Sequence, residues 1–65
     1  MISINGKVLT KRTLTMEEMD RLEKAYDARG WTVLEVGKDG DDYEYVLKEK
    51  LTTQDLKGLR EELGI

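Results

Sequence analysis

Apolar and polar residues alternate at the start of the chain, and a turn signal follows. Ile2 and Ile4 flank a serine, and Asn5-Gly6 then supplies two residues that tolerate the positive φ angles of a tight hairpin turn. Residues 7–14 are rich in β-branched side chains, which is typical of a returning strand. The pattern predicts a first β-hairpin.

The length of the loop in this hairpin decides which residues face each other. A two-residue loop places Ile2 opposite Leu9 and Ser3 opposite Val8. A bulged loop shifts the pairing by one residue and brings Val8 to the core side. We favour the two-residue loop.

Helical spacing begins after the first hairpin. Thr15 and Glu18 form a capping-box pattern, in which each side chain accepts a hydrogen bond from the backbone N–H of the other residue. Gly30 is suited to end the helix, because glycine adopts a left-handed conformation without strain. The apolar stripe of this helix consists of Met16, Met19, Leu22 and Tyr26.

A second hairpin is predicted from two strand-like stretches, 31–36 and 43–49, which surround the turn signal Asp39-Gly40. With the turn centred there, the core face carries the pairs Val36–Tyr43, Leu34–Tyr45 and Thr32–Leu47. The outer face carries Val33–Val46 and Glu35–Glu44. The two glutamates repel each other, so the outer face is expected to be solvated.

A short helix is predicted at the C-terminal end. Thr52 and Asp55 are typical of a helix start, and Gly58 within the helix lowers its stability by up to about 1 kcal/mol relative to alanine. Its apolar stripe is Leu56, Leu59 and Leu63. A helix of this length is marginal alone, so the stripe must dock on its own domain or on a partner.

These elements predict one α+β domain over residues 1–65, in the order ββαββα. Two hairpins form a four-stranded, mainly antiparallel sheet with the long helix across one face. The C-terminal helix either closes the second face of the sheet or exchanges with a neighbouring chain. The predicted core is Ile2, Ile4, Leu9, Leu14, Met19, Leu22, Tyr26, Leu34, Val36, Tyr45 and Leu47.

The order hairpin, helix, hairpin resembles the β-grasp plan, and residues 2–7 (Ile-Ser-Ile-Asn-Gly-Lys) resemble the opening of some of its members. Bacterial immunoglobulin-binding domains share the layout and the Asn-Gly-Lys turn. The resemblance implies the strand order 2-1-4-3 with strands one and four parallel at the centre. Ubiquitin-like sulfur carriers of this fold end in Gly-Gly, whereas residues 62–65 here are Glu-Leu-Gly-Ile, so their chemistry is not carried over.

The residue types that are absent limit the chemistry. The chain contains no His, Cys, Pro or Phe, which removes the usual nucleophile–base pairs, soft metal ligands and disulfides. A chain of 65 residues also leaves little room for a pocket of about 300 Å³ or more. We therefore expect no enzyme activity, no cofactor and no small-molecule substrate.

The acidic turn is the one dense cluster of oxygen ligands, formed by Asp39, Asp41, Asp42 and Glu44. A calcium loop of the EF-hand type that begins at Asp39 requires glycine at its sixth position and glutamate at its twelfth. The chain has Glu44 and Lys50 there. We interpret the cluster as a solvated hairpin tip and expect no metal.

The net charge of −3 opposes nucleic-acid binding, which normally needs a concentrated positive field. That function requires one face to gather the basic residues Lys7, Lys11, Arg12, Lys48, Lys50, Lys57 and Arg60, with Trp31, Tyr43 and Tyr45 for base stacking. The sequence has no apolar run of membrane-spanning length and no signal peptide, so we expect a cytoplasmic protein without membrane contact.

Our leading functional hypothesis is a small non-enzymatic protein–protein interaction module, such as a regulator or inhibitor that occupies a partner's surface. The thin core of a chain this short also makes a homodimer a reasonable expectation. The alternative is a designed or engineered scaffold without biochemical activity, and nucleic-acid binding is a weaker alternative. The candidate interaction surface consists of Trp31, Val33, Val46, Leu56, Leu59 and Leu63.

Overall fold

A computed structural model describes residues 1–65 and contains four strands and two helices. The elements are β1 (Ile2–Ile4), β2 (Lys7–Thr10), α1 (Met16–Ala28), β3 (Val33–Asp39), β4 (Asp42–Leu47) and α2 (Thr53–Leu63). Their order, ββαββα, confirms the predicted α+β class.

The four strands form one open sheet in the order β2-β1-β4-β3. β1 pairs antiparallel with β2, β3 pairs antiparallel with β4, and β1 and β4 are parallel at the centre. This arrangement confirms the strand order 2-1-4-3 that the β-grasp resemblance implied. β2 and β3 are consequently the two edges of the sheet.

The first hairpin has the predicted two-residue loop and one irregularity. Asn5 and Gly6 have φ angles of 51° and 80°, and Ser3 lies opposite Val8 as expected. Ile2, however, lies opposite Thr10, so the predicted pairing of Ile2 with Leu9 is wrong. A β-bulge adds one residue to β2 at this point, which bends the strand and keeps that leucine side chain in the core.

The register of the second hairpin differs from the prediction. The turn residues are Gly40 and Asp41, with Asp39 opposite Asp42. Gly40 has a φ of 62°, and a type II′ turn needs a positive φ at its first central position, where glycine is favoured. The predicted Glu35–Glu44 repulsion therefore does not occur.

The observed pairs in this hairpin are Val36–Tyr45, Gly37–Glu44, Lys38–Tyr43, Glu35–Val46 and Val33–Leu47, with a bulge between Val33 and Glu35. The predicted pairs Val36–Tyr43, Leu34–Tyr45, Thr32–Leu47 and Val33–Val46 are wrong. Moving the turn by one residue shifts the pairing by two, so Val36 still shares its face of the sheet with Tyr45.

Both helices begin with a complete capping box. Thr15 accepts from the N–H of Glu18 at 3.1 Å, and the Glu18 carboxylate accepts from the N–H of Thr15 at 3.0 Å. Thr52 and Asp55 form the same reciprocal pair at the start of α2. These caps satisfy backbone donors that have no partner within the helix.

One apolar core lies between the sheet and the two helices. α2 packs beside α1 on the same face of the sheet, in the core of its own domain, so it does not close the second face. Its leucines join the predicted core, as do an alanine of α1 and the leucine that precedes α2. The buried apolar residues that the prediction omitted are Ala25, Leu51, Leu56, Leu59 and Leu63.

Two residues that were predicted to be in the core are exposed. Leu34 is 62% exposed and Val36 is 47% exposed, and every other predicted core residue is buried. Both lie on the edge strand β3, all of whose residues are exposed. The prediction is wrong here because a side chain on the helix-facing side of the sheet is buried only where a helix covers it.

Candidate protein-binding edge of the sheet

The predicted interaction surface is not one patch in the structure. Leu56, Leu59 and Leu63 are buried on α2 in the core of their own domain and are not accessible to a partner. Val33 and Val46 are exposed, but their side chains lie on different strands and opposite faces. Of the six residues of the predicted surface, only these two valines are therefore exposed, at 38% and 41%.

Trp31 is half-buried and packs against residues at the C-terminal end of α1. Its ring lies 6.3 Å from the ring of Tyr26 and 5.5 Å from the Arg29 guanidinium carbon, measured to the ring centroid. Arg29 also donates through Nη1 to the Glu62 carboxylate of α2 at 2.6 Å. The Trp31 ring therefore packs partly against the core and is partly covered by the Arg29 guanidinium. It is not the centre of an open apolar patch.

The larger exposed apolar surface follows β3. This strand carries three aliphatic side chains with substantial exposure, Val33, Leu34 and Val36. Neither helix covers them, and the sheet has no further strand beyond β3. Long, apolar edge strands are sites at which other chains pair, so this edge is the strongest candidate for an interaction site.

The backbone of β3 offers hydrogen bonds as well as side chains. In a two-residue hairpin, hydrogen-bonded and non-hydrogen-bonded pairs alternate away from the turn. The pairs Asp39–Asp42 and Gly37–Glu44 are of the hydrogen-bonded type. The N–H and C=O groups of Val36 and Lys38 therefore point away from β4, toward the unoccupied side of the edge.

The opposite edge, β2, is closed. Arg60 of α2 donates through Nε to the C=O of Leu9 at 2.6 Å and through Nη2 to the C=O of Val8 at 3.1 Å. Lys7 donates from Nζ to the C=O of Leu51 at 3.0 Å, which holds the loop before α2 against the same strand. β2 has only four residues, and its outward acceptors are already used.

The acidic turn at the other end of β3 does not gather ligands for a metal ion. No group of three or more acidic side chains is placed to hold one. Asp42 accepts from the α-amino group of Met1 at 2.6 Å, whereas the remaining acidic residues of the turn are exposed without an ion pair. The turn adds negative charge beside the open edge.

Several of the basic residues are used inside the fold. Arg12 forms a two-pronged contact with Glu18, and Lys7 and Arg60 donate to backbone carbonyls. Tyr45 is buried in the core. Tyr45 is therefore not available for base stacking, whereas Lys7 and Arg60 both lie along β2.

Two shallow hollows of about 400 and 410 Å³ lie on the surface, one beside the acidic turn and one between the helices. They are larger than the length of the chain led us to expect, so volume alone does not argue against a ligand. Burial raises the pKa of Tyr45 to about 12 and that of Tyr26 further, and neither phenol lines a hollow. Neither tyrosine is therefore placed to exchange a proton with a bound molecule.

No protein-family model, curated protein sequence or solved structure matches this chain. No helix of the structure is long and apolar enough to span a membrane. The fold and its two edges are therefore the observations from which a function can be argued.

The open edge at β3 could have been predicted from the strand order that the β-grasp resemblance implied. The order 2-1-4-3 places β3 at an edge of the sheet. At an edge, a side chain can be exposed on either face. The closure of β2 could not be predicted in this way, because it depends on a contact between Arg60 and Leu9, which are 51 residues apart in the chain.

Proposed function

We propose that this chain is a small non-enzymatic interaction module that binds a protein partner by adding an extended segment of that partner to β3. In this way it acts as a regulator or inhibitor that occupies the partner's surface. The observation that carries the proposal is the open, seven-residue edge strand with three exposed aliphatic side chains. Strand addition obtains affinity from main-chain hydrogen bonds and specificity from alternate side chains.

The difference between the two edges supports this function. An edge strand exposes unpaired donors and acceptors that promote association, and proteins commonly block such edges with charged side chains. Here α2 supplies a cation to β2, whereas nothing contacts the outer side of β3. One available edge suits a module that binds a single strand.

The charge beside β3 favours a basic partner segment. Asp39, Asp41 and Glu44 surround the end of the strand and are exposed without an ion pair. Complementary charges raise the rate of association and select among partners more than they raise affinity. Where the partner is a different protein, we expect its added segment to carry lysine or arginine as it passes the turn.

A pair of matched variants tests the proposal. Val36→Lys changes the centre of the open edge, and Val8→Lys makes the same change on β2, where the valine is similarly exposed. Affinity capture from the source cells first identifies candidate partners, and the binding of each purified candidate is then measured by calorimetry. We expect Val36→Lys to weaken binding at least tenfold and Val8→Lys to leave it unchanged.

Hydrogen exchange provides an independent measurement. A bound strand should protect the amides of Val36 and Lys38, which point away from β4 in the free protein. Protection confined to another surface, or equal affinities for both lysine variants, would show that the β3 proposal is wrong.

A second candidate function, a designed or engineered scaffold without biochemical activity, is favoured by the complete capping boxes on both helices and by glycines with positive φ at both hairpin turns. Such a scaffold should unfold only at high temperature or high denaturant and should bind no purified candidate. A marginally stable chain that retains a stoichiometric partner contradicts the scaffold interpretation.

A further inference from the structure

We propose that the segment added to β3 is the β3 strand of a second copy of this chain, paired antiparallel about a two-fold axis at Val36. The inference rests on the proposed function, since it assigns a partner to the same open edge. Two four-stranded sheets would then join into one continuous sheet of eight strands, with both pairs of helices on the same face.

The two-fold axis restricts the possible registers. Residues that face each other across an antiparallel pair point to the same side of the sheet, so a symmetric pair must place one residue opposite its own copy. Placing Val36 opposite its copy overlaps the whole strand. Glu35 then faces Gly37, and Lys38 faces Leu34, so no like charges lie directly opposite each other.

The neighbouring symmetric registers are less favourable. Centring the pair on Glu35 places two carboxylates opposite each other, and centring it on Gly37 places Glu35 opposite Asp39 twice. Like charges directly opposite each other destabilise a strand pair. Among these three registers, the charge pattern of β3 favours the one centred on Val36, in which apolar or neutral residues face the charged ones.

The backbone geometry agrees with this register. Val36 carries outward N–H and C=O groups, so Val36 and its copy exchange two hydrogen bonds at the axis. Lys38 does not block the approach, because its Nζ lies over the Tyr43 ring of its own chain, 5.6 Å from the ring centroid. The β3 bulge lies at Leu34, away from the axis.

The closed edge limits the assembly to two copies. Once β3 is paired, the outer edges of the joined sheet are the two β2 strands, where Arg60 already uses the carbonyls of Val8 and Leu9. A third copy finds no open edge, which distinguishes a closed dimer from a growing fibre. A contact confined to one strand of seven residues predicts a weak dimer that dissociates on dilution.

The test is the molar mass of the purified chain across a concentration series, measured by analytical ultracentrifugation. We expect the mass to rise from 7.5 kDa to twice that value and no further. Val36→Lys should remain monomeric at every concentration, because it places two lysines opposite each other, and Val8→Lys should dimerise like the wild type. Circular dichroism checks that both variants are folded.

The register has a separate test, because the chain contains no cysteine. Val36→Cys should form a covalent dimer with a short bis-maleimide at concentrations where the wild type associates, and Val8→Cys should not. Equal cross-linking of both variants, or a dimer unaffected by Val36→Lys, would overturn the inference.

The dimer and the proposed function can fail separately. A chain that is monomeric at all concentrations overturns the dimer. If such a chain still binds a purified partner in a manner that Val36→Lys weakens, the proposed function stands with a different occupant. If Val36→Lys alters neither molar mass nor partner binding, both are wrong.

Discussion

The two edges of this sheet have opposite surroundings. β2 is short, is interrupted by a bulge and is covered by Arg60 of α2. β3 is seven residues long, has no side chain across its outer side and exposes Leu34 and Val36. Because α1 and α2 lie side by side on one face, the second helix reaches the β2 edge and leaves β3 open. A small domain with two helices can thus close one edge of its sheet and leave the other open.

The closed edge depends first on how α2 is anchored. Leu59 is fully buried, and Leu59→Ala should lower the free energy of unfolding by about 2–5 kcal/mol, because it removes apolar contacts and leaves a cavity. Urea unfolding measures the change. Met16→Ala is the control, since Met16 is 84% exposed and its truncation should have almost no effect. Equal effects of the two variants would show that α2 does not hold the domain together.

The guanidinium that covers β2 is the second point to test. Arg60→Ala should lower the free energy of unfolding by about 1–2 kcal/mol, because two carbonyls lose a charged donor and are hydrated instead. If this side chain also blocks the edge, the variant should associate beyond two copies in ultracentrifugation. Lys57→Ala, an exposed residue of the same helix, should change neither quantity.

The core near the start of β3 contains a polar group without a partner. The Tyr26 hydroxyl is buried and makes no hydrogen bond, while its ring packs edge-on against Tyr45 at 5.3 Å. Tyr26→Phe should raise the free energy of unfolding by about 1 kcal/mol, because the buried hydroxyl no longer needs to be desolvated. Tyr43→Phe, on a half-buried ring, should have little effect. A clear loss of stability in Tyr26→Phe would mean that the hydroxyl has a partner in solution.

Gly58 allows α2 to be strengthened without changing either edge. A Cβ atom at this position meets no heavy atom within 4 Å, so alanine is accommodated. Gly58→Ala should raise the free energy of unfolding by about 0.5–1 kcal/mol through the higher helix propensity of alanine. The thermal midpoint reports the gain. The same change at Gly64, where φ is 70°, should destabilise the protein and serves as the contrasting variant.

The smallest expected effect concerns the link between β2 and α1. The hydrogen bond from Arg12, followed by that from the Thr15 backbone, lowers the pKa of Glu18 from 4.5 to about 2. A carboxylate with a lower pKa in the folded state stabilises the protein above pH 4.5, and this contribution is lost as the pH falls toward 2.

Glu18→Gln should therefore make stability less dependent on pH between about 2 and 4.5, measured by thermal unfolding at low salt. The contact is exposed, so added salt should reduce the difference. Glu61→Gln, at an exposed acid without an ion pair, should leave the pH profile unchanged. A Glu61→Gln profile that matched that of Glu18→Gln would show that the Arg12 contact is not responsible.

The elements and their order along the chain could be predicted from short-range sequence signals. Asn5-Gly6 specified the first turn, and the Thr15 and Thr52 caps fixed both helix starts, because these signals act within a few residues. The turn of the second hairpin was misplaced by one residue, since a glycine with an aspartate on each side is compatible with either turn. Local chemistry thus predicted the elements, whereas the strand order came from the β-grasp resemblance and the register of the longest strands was wrong.

Which residues are covered depends on how the helices pack on the sheet, and this could not be predicted from short-range signals. Asn5 illustrates this: beyond its turn, its side chain accepts from the N–H of Leu47 and donates to the C=O of Glu49, distant contacts that the turn signal does not reveal. The open β3 edge could not be predicted for a similar reason. The alternation of apolar and polar residues predicts the face to which a side chain points, but not how far the helices extend over that face. Val36 faces the helix side yet is exposed, because α1 and α2 together cover the other three strands and end before β3.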